Sequence, residues 1–200
     1  MIPRQLPARR TLLEITELFS RHRLKKEYVA GRTRAAVAMI LRELPGDLEI
    51  LFIERASDER DPWSGHLAFP GGKVEPGELA RQAAERETQE EIGLWLGTER
   101  YLGRMSDIVG ANLPVRVSCF AYGVVTDTVQ PTVSPEVRDV FWVRLSDLLD
   151  PERHQMASVG FSGTSLQVPA IIMPQSDKPV LWGITYRLVM QFLDIIRVRV

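Results

Sequence analysis

Three carboxylates are expected to share one face of a predicted helix, and few folds can accommodate such a cluster. Glu87, Glu90 and Glu91 stand at i, i+3 and i+4 in a segment predicted to be helical from about residue 78 to residue 92. Gly93 follows directly and is the expected end of the helix. Three close negative charges repel one another. A helix can tolerate them on an open surface, but beside a glycine-rich loop the simpler explanation is that a cation neutralises them. Carboxylate oxygens favour hard ions, which predicts magnesium or manganese and not zinc.

The other side chains of this segment predict how the helix is held in place. Arg86 lies four residues before Glu90, so it is expected to pair with a carboxylate and brace the cluster. The small and apolar side chains that can face the core are Leu79, Ala83, Ala84 and Ile92. The helix can therefore anchor on one side and present metal ligands on the other.

A glycine pair precedes the helix in the segment Phe69, Pro70, Gly71 and Gly72. Without a Cβ atom, the backbone of these glycines can approach a metal or a phosphate closely. Such a segment alone is usually an ordinary turn. Here its spacing along the sequence from the carboxylates indicates a functional role. Gly72 is followed after five residues by Glu78, and after a further seven by the run of residues 86–94, RETQEEIGL.

This spacing resembles the signature of Nudix hydrolases along its whole length. Thr88 is the one departure, at a position where the family usually has an aliphatic residue. The resemblance implies an α/β (α+β) sandwich in which a mixed β-sheet lies between helices and the signature forms a loop, a helix and a second loop. The activity that it implies is metal-dependent hydrolysis of a diphosphate linkage.

The resemblance also implies roles for single residues. Glu87, Glu90 and Glu91 are implied to bind Mg²⁺ or Mn²⁺, with the backbone carbonyl of Gly71 as a further ligand, while Glu78 and Arg86 support the geometry of the helix.

The general base that deprotonates the attacking water has more than one candidate. Glu90 or Glu91 can serve, and in this family the base can also come from a later loop, where Glu136 is the candidate. Glu136 can equally be an exposed loop carboxylate.

A second resemblance concerns the substrate. Arg55 followed by Ala56, then Arg60 and Gly65 ahead of the glycine pair, resembles the extra motif of coenzyme A pyrophosphatases. Residues 181–185, LWGIT, resemble a Trp-Gly-x-Thr segment common in the same branch. Arg55, Arg60, Gly71 and Gly72 are therefore expected to contact the phosphates, although the two arginines can also be surface charges.

The loop that carries this motif departs from the coenzyme A pattern in length. Four residues, 61–64, separate Arg60 from Gly65, where the motif has three. Trp63 lies within them and either packs under the loop or stacks on an adenine. Two other functions stay open. The chain can hydrolyse ADP-ribose, a nucleotide sugar or a nucleoside triphosphate, or it can sense a nucleotide without cleaving it.

Composition limits the partners that this chain can have. Twenty-five Lys and Arg balance 26 Asp and Glu, which gives no general reason to expect nucleic-acid binding. Residues 1–34 are an exception, with nine Lys or Arg against three Glu, and form either a solvated surface or a cationic rim that attracts a phosphorylated ligand. The expected partner is a small nucleotide diphosphate, bound by a monomer or a homodimer.

The chain is expected to form a single domain, with residues 1–34 as a basic helical extension packed on a Nudix domain of residues 35–200. No stretch reaches the ~18 apolar residues of a membrane span, and the first residues do not resemble a signal peptide. The sequence therefore predicts a cytoplasmic protein that does not contact membranes. Cys119 lies in an apolar run and is expected to be a small core residue.

Hydrophobic patterning predicts the remaining elements. Residues 35–42 and 48–54 are expected to form an antiparallel hairpin, and a loop without regular structure is expected from 56 to 77. The spacing of Leu12, Leu13, Ile15, Leu18, Phe19 and Leu24 predicts a first helix that packs on the body. Further predicted elements are strands at 115–125, 139–144 and 165–173, a short helix at 145–149 and a last helix at 184–196.

Overall fold

The computed structural model describes residues 11–25, 31–57, 64–110, 114–124, 132–161 and 163–196. The helices are α1 (Leu12–Arg21), α2 (Ala80–Ile92), α3 (Leu145–Leu149) and α4 (Gly183–Ile196). The strands are β1 (Thr33–Leu44), β2 (Asp47–Arg55), β3 (Leu67–Ala68), β4 (Gly71–Lys73), β5 (Arg100–Arg104), β6 (Ile108–Val109), β7 (Val115–Val124), β8 (Val137–Arg144), β9 (His154–Phe161) and β10 (Thr164–Ile171).

A mixed sheet forms the centre of the fold, as predicted. β1 pairs with β2 in an antiparallel hairpin and with β7 in parallel over ten residues, from Thr33 with Val115 to Arg42 with Val124. β2 continues to β8, and β7 continues to β5 and β6, all antiparallel. The short strand β4 pairs with the first half of β1, which brings Gly71 opposite Val37. The glycine pair is therefore fixed to the middle of the sheet.

Helices cover both faces of this sheet, because the side chains of β1 alternate between two cores. Ala36, Ala38 and Ile40 point to the face that α2 covers. Met39 and Leu41 point to the opposite face, where they share a core with α1 and α4. This layered arrangement confirms the predicted α/β sandwich.

The first helix is shorter than the apolar spacing predicts. Thr11 caps its N-terminus and exchanges hydrogen bonds with Glu14 in a capping box. Ile15 and Phe19 are buried, so the helix packs on the body as predicted. α1 ends at Arg21, however, and Leu24 lies beyond it with an exposed side chain. The inclusion of Leu24 in the helix was wrong.

Several strands were absent from the prediction because their patterns are short or polar. β3 and β4 lie inside the segment 56–77 that was expected to lack regular structure. β5 and β6 pair with β7, and β9 forms a hairpin with β10 in which Pro169 lies opposite Met156. The side chains of β9 are mostly exposed, so no apolar alternation marks this strand in the sequence.

Two smaller predictions can also be compared with the fold. Cys119 is fully buried in the core between the sheet and α1 and α4, which confirms its predicted role, and burial raises the pKa of its thiol. No helix in the described part of the chain combines the length and the apolar character needed to cross a membrane.

Candidate active site

Helix α2 carries the carboxylate cluster and ends where the sequence predicts. Gly93 takes a positive φ of 71°, and its backbone N–H donates to the carbonyl of Gln89. The helix begins at Ala80, two residues later than predicted. Leu79 is the residue before the first turn and is 67% exposed, so its predicted inward position was wrong. Ala83, Ala84 and Ile92 do face the core.

Glu91 is a buried carboxylate that the glycine loop contacts directly. The backbone N–H of Gly71 donates a hydrogen bond of 2.8 Å to Glu91 Oε2. Nη1 of Arg55 lies 3.8 Å from Oε1 of the same carboxylate. Burial raises the pKa of Glu91 to about 7, although the Gly71 hydrogen bond and the charge of Arg55 oppose that rise.

Glu87 lies against the second glycine of the loop. A Cβ atom on Gly72 would overlap the carboxylate of Glu87, so any other residue at position 72 would displace that carboxylate. Burial also raises the pKa of Glu87, although its hydrogen bond from Arg86 opposes the effect. The two glycines are therefore the places where the loop meets the acidic face of α2.

Arg86 joins the glutamates of this face into one network. Its Nη1 donates to Glu87 Oε1 at 2.9 Å and to Glu90 Oε2 at 3.0 Å. Its Nε donates to Glu78 Oε1 at 3.0 Å, and this hydrogen bond lowers the pKa of Glu78. Nη2 reaches the backbone carbonyl of Lys73 at 3.2 Å, on the loop side. Arg86 therefore fixes the helix to the loop that precedes it.

The loop that carries Glu136 docks on the C-terminal end of α2. The backbone N–H groups of Thr132 and Ser134 donate to the carbonyls of Ile92 and Glu91, at 3.0 and 2.9 Å. Glu136 lies close enough for its charge to raise the pKa of both Glu87 and Glu91. The structure thus brings this loop carboxylate to the edge of the cluster.

The predicted substrate residues are only partly within the described chain. Arg55 lies at the site, where its backbone N–H donates to the carbonyl of His66 at 3.0 Å. Gly65, with a φ of 71°, makes the turn that returns the loop to this position. Arg60 and Trp63 lie outside the described residues.

Comparison with known proteins identifies the family. The model of the NUDIX domain matches residues 32–161, which is more than half of the chain. The chain belongs to the Nudix family. This Nudix chain is 30% identical over 162 residues to a probable nudix hydrolase of Schizosaccharomyces pombe, across 80% of this chain and 55% of the relative. It is 33% identical over 86 residues to an 8-oxo-dGTP diphosphatase of Haemophilus influenzae, across 42% of this chain and 60% of that protein.

A solved structure supports the same fold. A MutT/nudix family protein from Enterococcus faecalis superposes with a TM-score of 0.57 at 14% identity, across 92% of this chain and 69% of that one. The Nudix chain spans only slightly more than half the length of the curated relatives named above.

The residues of this Nudix site suit a divalent metal by their chemistry. All the candidate ligands offer oxygen, which hard ions such as Mg²⁺ and Mn²⁺ prefer. Two of them, Glu87 and Glu91, are carboxylates whose pKa is raised by burial, and a cation would stabilise their charged form. Among the described residues, no three acidic or imidazole groups converge as a formed metal cluster. Arg86 supplies the positive charge between Glu87 and Glu90 instead.

Sequence patterns did not reveal an aromatic cluster beside the site. The ring of His66 meets Trp182 edge to face at 4.9 Å, and Phe161 lies 5.8 Å from Trp182. These residues are far apart in the chain, and the Trp-Gly segment was the one part of the cluster that the sequence pattern pointed to.

The sequence patterns also gave no indication of a role for Lys178. Its Nζ forms a buried ion pair of 3.1 Å with Glu54, the residue before Arg55.

Proposed function

We propose that this Nudix chain hydrolyses a diphosphate linkage in a small nucleotide derivative and requires a divalent metal. The contact between the glycine loop and the acidic helix carries the proposal. Gly71 donates to Glu91, and Gly72 leaves room for the carboxylate of Glu87. Because Gly72 has no Cβ atom, the loop meets the carboxylate of Glu87 closely, so a metal held by that carboxylate would also lie near the loop backbone.

Glu87, Glu90 and Glu91 would hold the metal, together with the backbone carbonyl of Gly71. When bound, the metal would neutralise the diphosphate oxygens and lower the pKa of water. Magnesium and manganese both suit this set of oxygen ligands.

The side chains of the chain itself would position the reactants and move the proton. Water attacks one phosphorus, the bond from that phosphorus to the bridging oxygen breaks, and a carboxylate accepts the proton of the water. Glu90, Glu91 and Glu136 are the candidate bases, and Glu136 approaches from a separate loop. Arg86 keeps Glu87 and Glu90 in place through Nη1, and Arg55 contributes a positive charge beside Glu91.

Coenzyme A is the substrate that we propose, with 3′,5′-ADP and 4′-phosphopantetheine as products. The support is the series Arg55, Arg60 and Gly65 that leads into the glycine loop, and the segment around Trp182. In the structure, the turn at Gly65 returns the chain to Arg55. Trp182 packs against His66, so the two parts of the motif are neighbours.

A substrate panel tests this proposal. Purified protein with Mg²⁺ or Mn²⁺ is incubated with coenzyme A, dephospho-coenzyme A, ADP-ribose and 8-oxo-dGTP, and the products are identified by mass spectrometry. We expect dephospho-coenzyme A to have a kcat/KM at least about tenfold lower, because it lacks the 3′-phosphate and ~1.4 kcal/mol corresponds to that factor. Arg60→Ala is expected to reduce this difference.

Other outcomes of the panel identify the alternatives. The similarity to an 8-oxo-dGTP diphosphatase gives a specific reason to include a nucleoside triphosphate. Efficient cleavage of 8-oxo-dGTP or ADP-ribose with coenzyme A left intact would contradict the coenzyme A proposal and retain the diphosphatase. Binding of a nucleotide without turnover of any compound would instead indicate a sensing module.

A further inference from the structure

A cavity beside the first turn of α2 is lined by none of the residues of the site described above. We propose that it is a second ligand site, which binds a small molecule that combines a phosphate group with a flat apolar part. Its volume is about 490 Å³. Small-molecule sites are roughly 300–1,000 Å³, so the cavity can enclose a ligand of nucleotide size.

The lining of the cavity is strongly cationic. Five positive side chains and one carboxylate line it, and Glu85, just outside the lining, pairs with Arg81, which leaves a formal charge of +3. The positive side chains are Lys25, Arg34, Arg81, Arg104 and Arg116, and the lining carboxylate is Asp107. Such a concave concentration of one charge attracts anions, and arginine in particular binds phosphate through paired hydrogen bonds.

The carboxylate of Asp107 is already shared between two of these arginines. Its Oδ1 lies 2.6 Å from Nη2 of Arg104, and its Oδ2 lies 3.7 Å from Nε of Arg116. Nε of Arg104 is buried and has no hydrogen-bond partner within the described part of the chain. One carboxylate balances only one of the two arginine charges, so this group keeps a net charge of +1.

Two more of the cations pair with no acid among the described residues. The side chains of Lys25 and Arg34 are exposed, and neither forms an ion pair with any residue in the described ranges. Both come from the basic segment 1–34, for which a cationic rim was one of the two predictions. The structure places these two residues beside arginines from β5, β7 and α2.

An apolar surface lies next to these charges. Leu24 and Leu79 line the cavity with exposed side chains, and the buried side chains of Phe120 and Met105 form part of its wall. The guanidinium carbon of Arg104 lies 5.5 Å from the centre of the Phe120 ring. The cavity accounts for the exposure of Leu79 at the start of α2. Inorganic phosphate alone would leave this surface uncovered, whereas a nucleotide has both the anion and the flat ring.

The cavity is separate from the proposed reaction centre. Arg81 precedes Glu87 by six residues, which places the two side chains about 120° apart around the helix axis. Nε of Arg81 donates to Glu85 at 2.9 Å and to the hydroxyl of Tyr122 at 3.1 Å, and its guanidinium lies over the Tyr101 ring. These contacts hold Arg81 on the side of α2 away from the glycine loop.

Calorimetric titration of the whole 200-residue chain in EDTA tests the proposal without turnover. AMP and adenosine are the probes, because they share the ring and differ in the phosphate. We expect AMP to bind saturably, and adenosine to bind at least about tenfold more weakly. Added salt should weaken AMP binding, since the contacts are ionic.

Charge-reversed variants locate the bound AMP. Arg34→Glu is expected to lower the AMP affinity at least about tenfold. Arg144→Glu changes the net charge equally at an exposed arginine outside the cavity, and should leave the affinity within about twofold. Glu91→Gln should also leave AMP binding unchanged, because this carboxylate belongs to the reaction centre.

Three results would overturn the proposal. They are the absence of saturable AMP binding, equal weakening by Arg34→Glu and Arg144→Glu, and a clear change of AMP affinity in either direction in Glu91→Gln. Arg116→Gln provides a second variant in case Arg34→Glu does not fold. None of these results depends on which diphosphate the enzyme cleaves.

Discussion

The backbone N–H of Gly71 donates a hydrogen bond of 2.8 Å to Oε2 of Glu91, and so joins the sheet to the acidic helix. Gly71 pairs with Val37 of β1, while Glu91 occupies the last turn of α2. Glu91 is only 3% exposed; it makes this structural contact and is also a proposed metal ligand. Substitutions at this position should separate the two.

Glu91→Gln is expected to lower turnover on the order of 10²-fold or more while retaining the fold. Glutamine keeps an oxygen that can accept from Gly71, but it has no negative charge for the metal. Steady-state kinetics and thermal melting measure the two effects. Glu152→Gln, at an exposed carboxylate in another part of the fold, is the control and should behave as the wild type. Near-normal activity of Glu91→Gln would exclude its proposed role.

Replacing Gly72 by alanine should affect activity, whereas replacing Gly71 by alanine should affect the stability of the fold. A methyl group on Gly72 meets only the flexible end of Glu87, so Gly72→Ala should reduce activity with little change in melting temperature. A methyl group on Gly71 meets the backbone of Ala36 and Val37, at a φ of 151°. Gly71→Ala should therefore destabilise the fold by about 1–3 kcal/mol.

Gly160→Ala is the matched control for both variants. A Cβ atom at Gly160 has nothing within 4 Å, and this glycine lies in the exposed strand β9. Denaturant unfolding and activity are measured for all three proteins. An equal loss of stability in Gly72→Ala and Gly71→Ala would contradict the prediction that only Gly71→Ala destabilises the fold.

Thr88→Val should be tolerated. Thr88 is fully buried on the inner side of α2, and its hydroxyl donates to the carbonyl of Ala84 at 2.7 Å. Valine has the same shape and leaves no unsatisfied donor, and that carbonyl lies in a helix with its own hydrogen bonds. We expect the free energy of unfolding to change by less than about 1 kcal/mol, with activity unchanged. Thr88→Ala, which opens a cavity, should destabilise the protein more.

Magnesium should raise the melting temperature of the protein as well as support activity. An ion that binds only the folded state stabilises it by about 2.7 kcal/mol at a hundred times its Kd. Chelation should abolish activity, and Mg²⁺ or Mn²⁺ should restore it. The variant Glu87→Gln, with one ligand charge removed, should show a smaller rise in melting temperature. Full activity after exhaustive chelation would exclude the metal mechanism.

The acidic face of α2 could be predicted from the sequence because it depends on local geometry. The spacing of Glu87, Glu90 and Glu91 places them together on any helix, and Gly93 ends that helix through its own backbone conformation. The hairpin of β1 and β2 is also local, since a short turn joins two apolar strands. These features need no knowledge of distant residues.

The parts that were missed depend on contacts between distant segments. Leu79 looks like a core residue in the sequence, but the helix begins after it and its side chain reaches the cavity. β9 has no apolar alternation and forms only because β10 pairs with it. Backbone hydrogen bonds hold the two strands together, and they do not require a particular pattern of side chains.

Local sequence is enough to assign the family, the acidic helix and the oxygen chemistry of the proposed metal site. The tertiary fold sets what surrounds that helix. It placed Gly71 against Glu91, brought Glu136 to the edge of the cluster, and gathered Arg34 and Arg104 around one cavity. Helical spacing follows from the backbone within a few residues, whereas these contacts arise because sheet pairing and core packing bring together segments that are far apart in the chain.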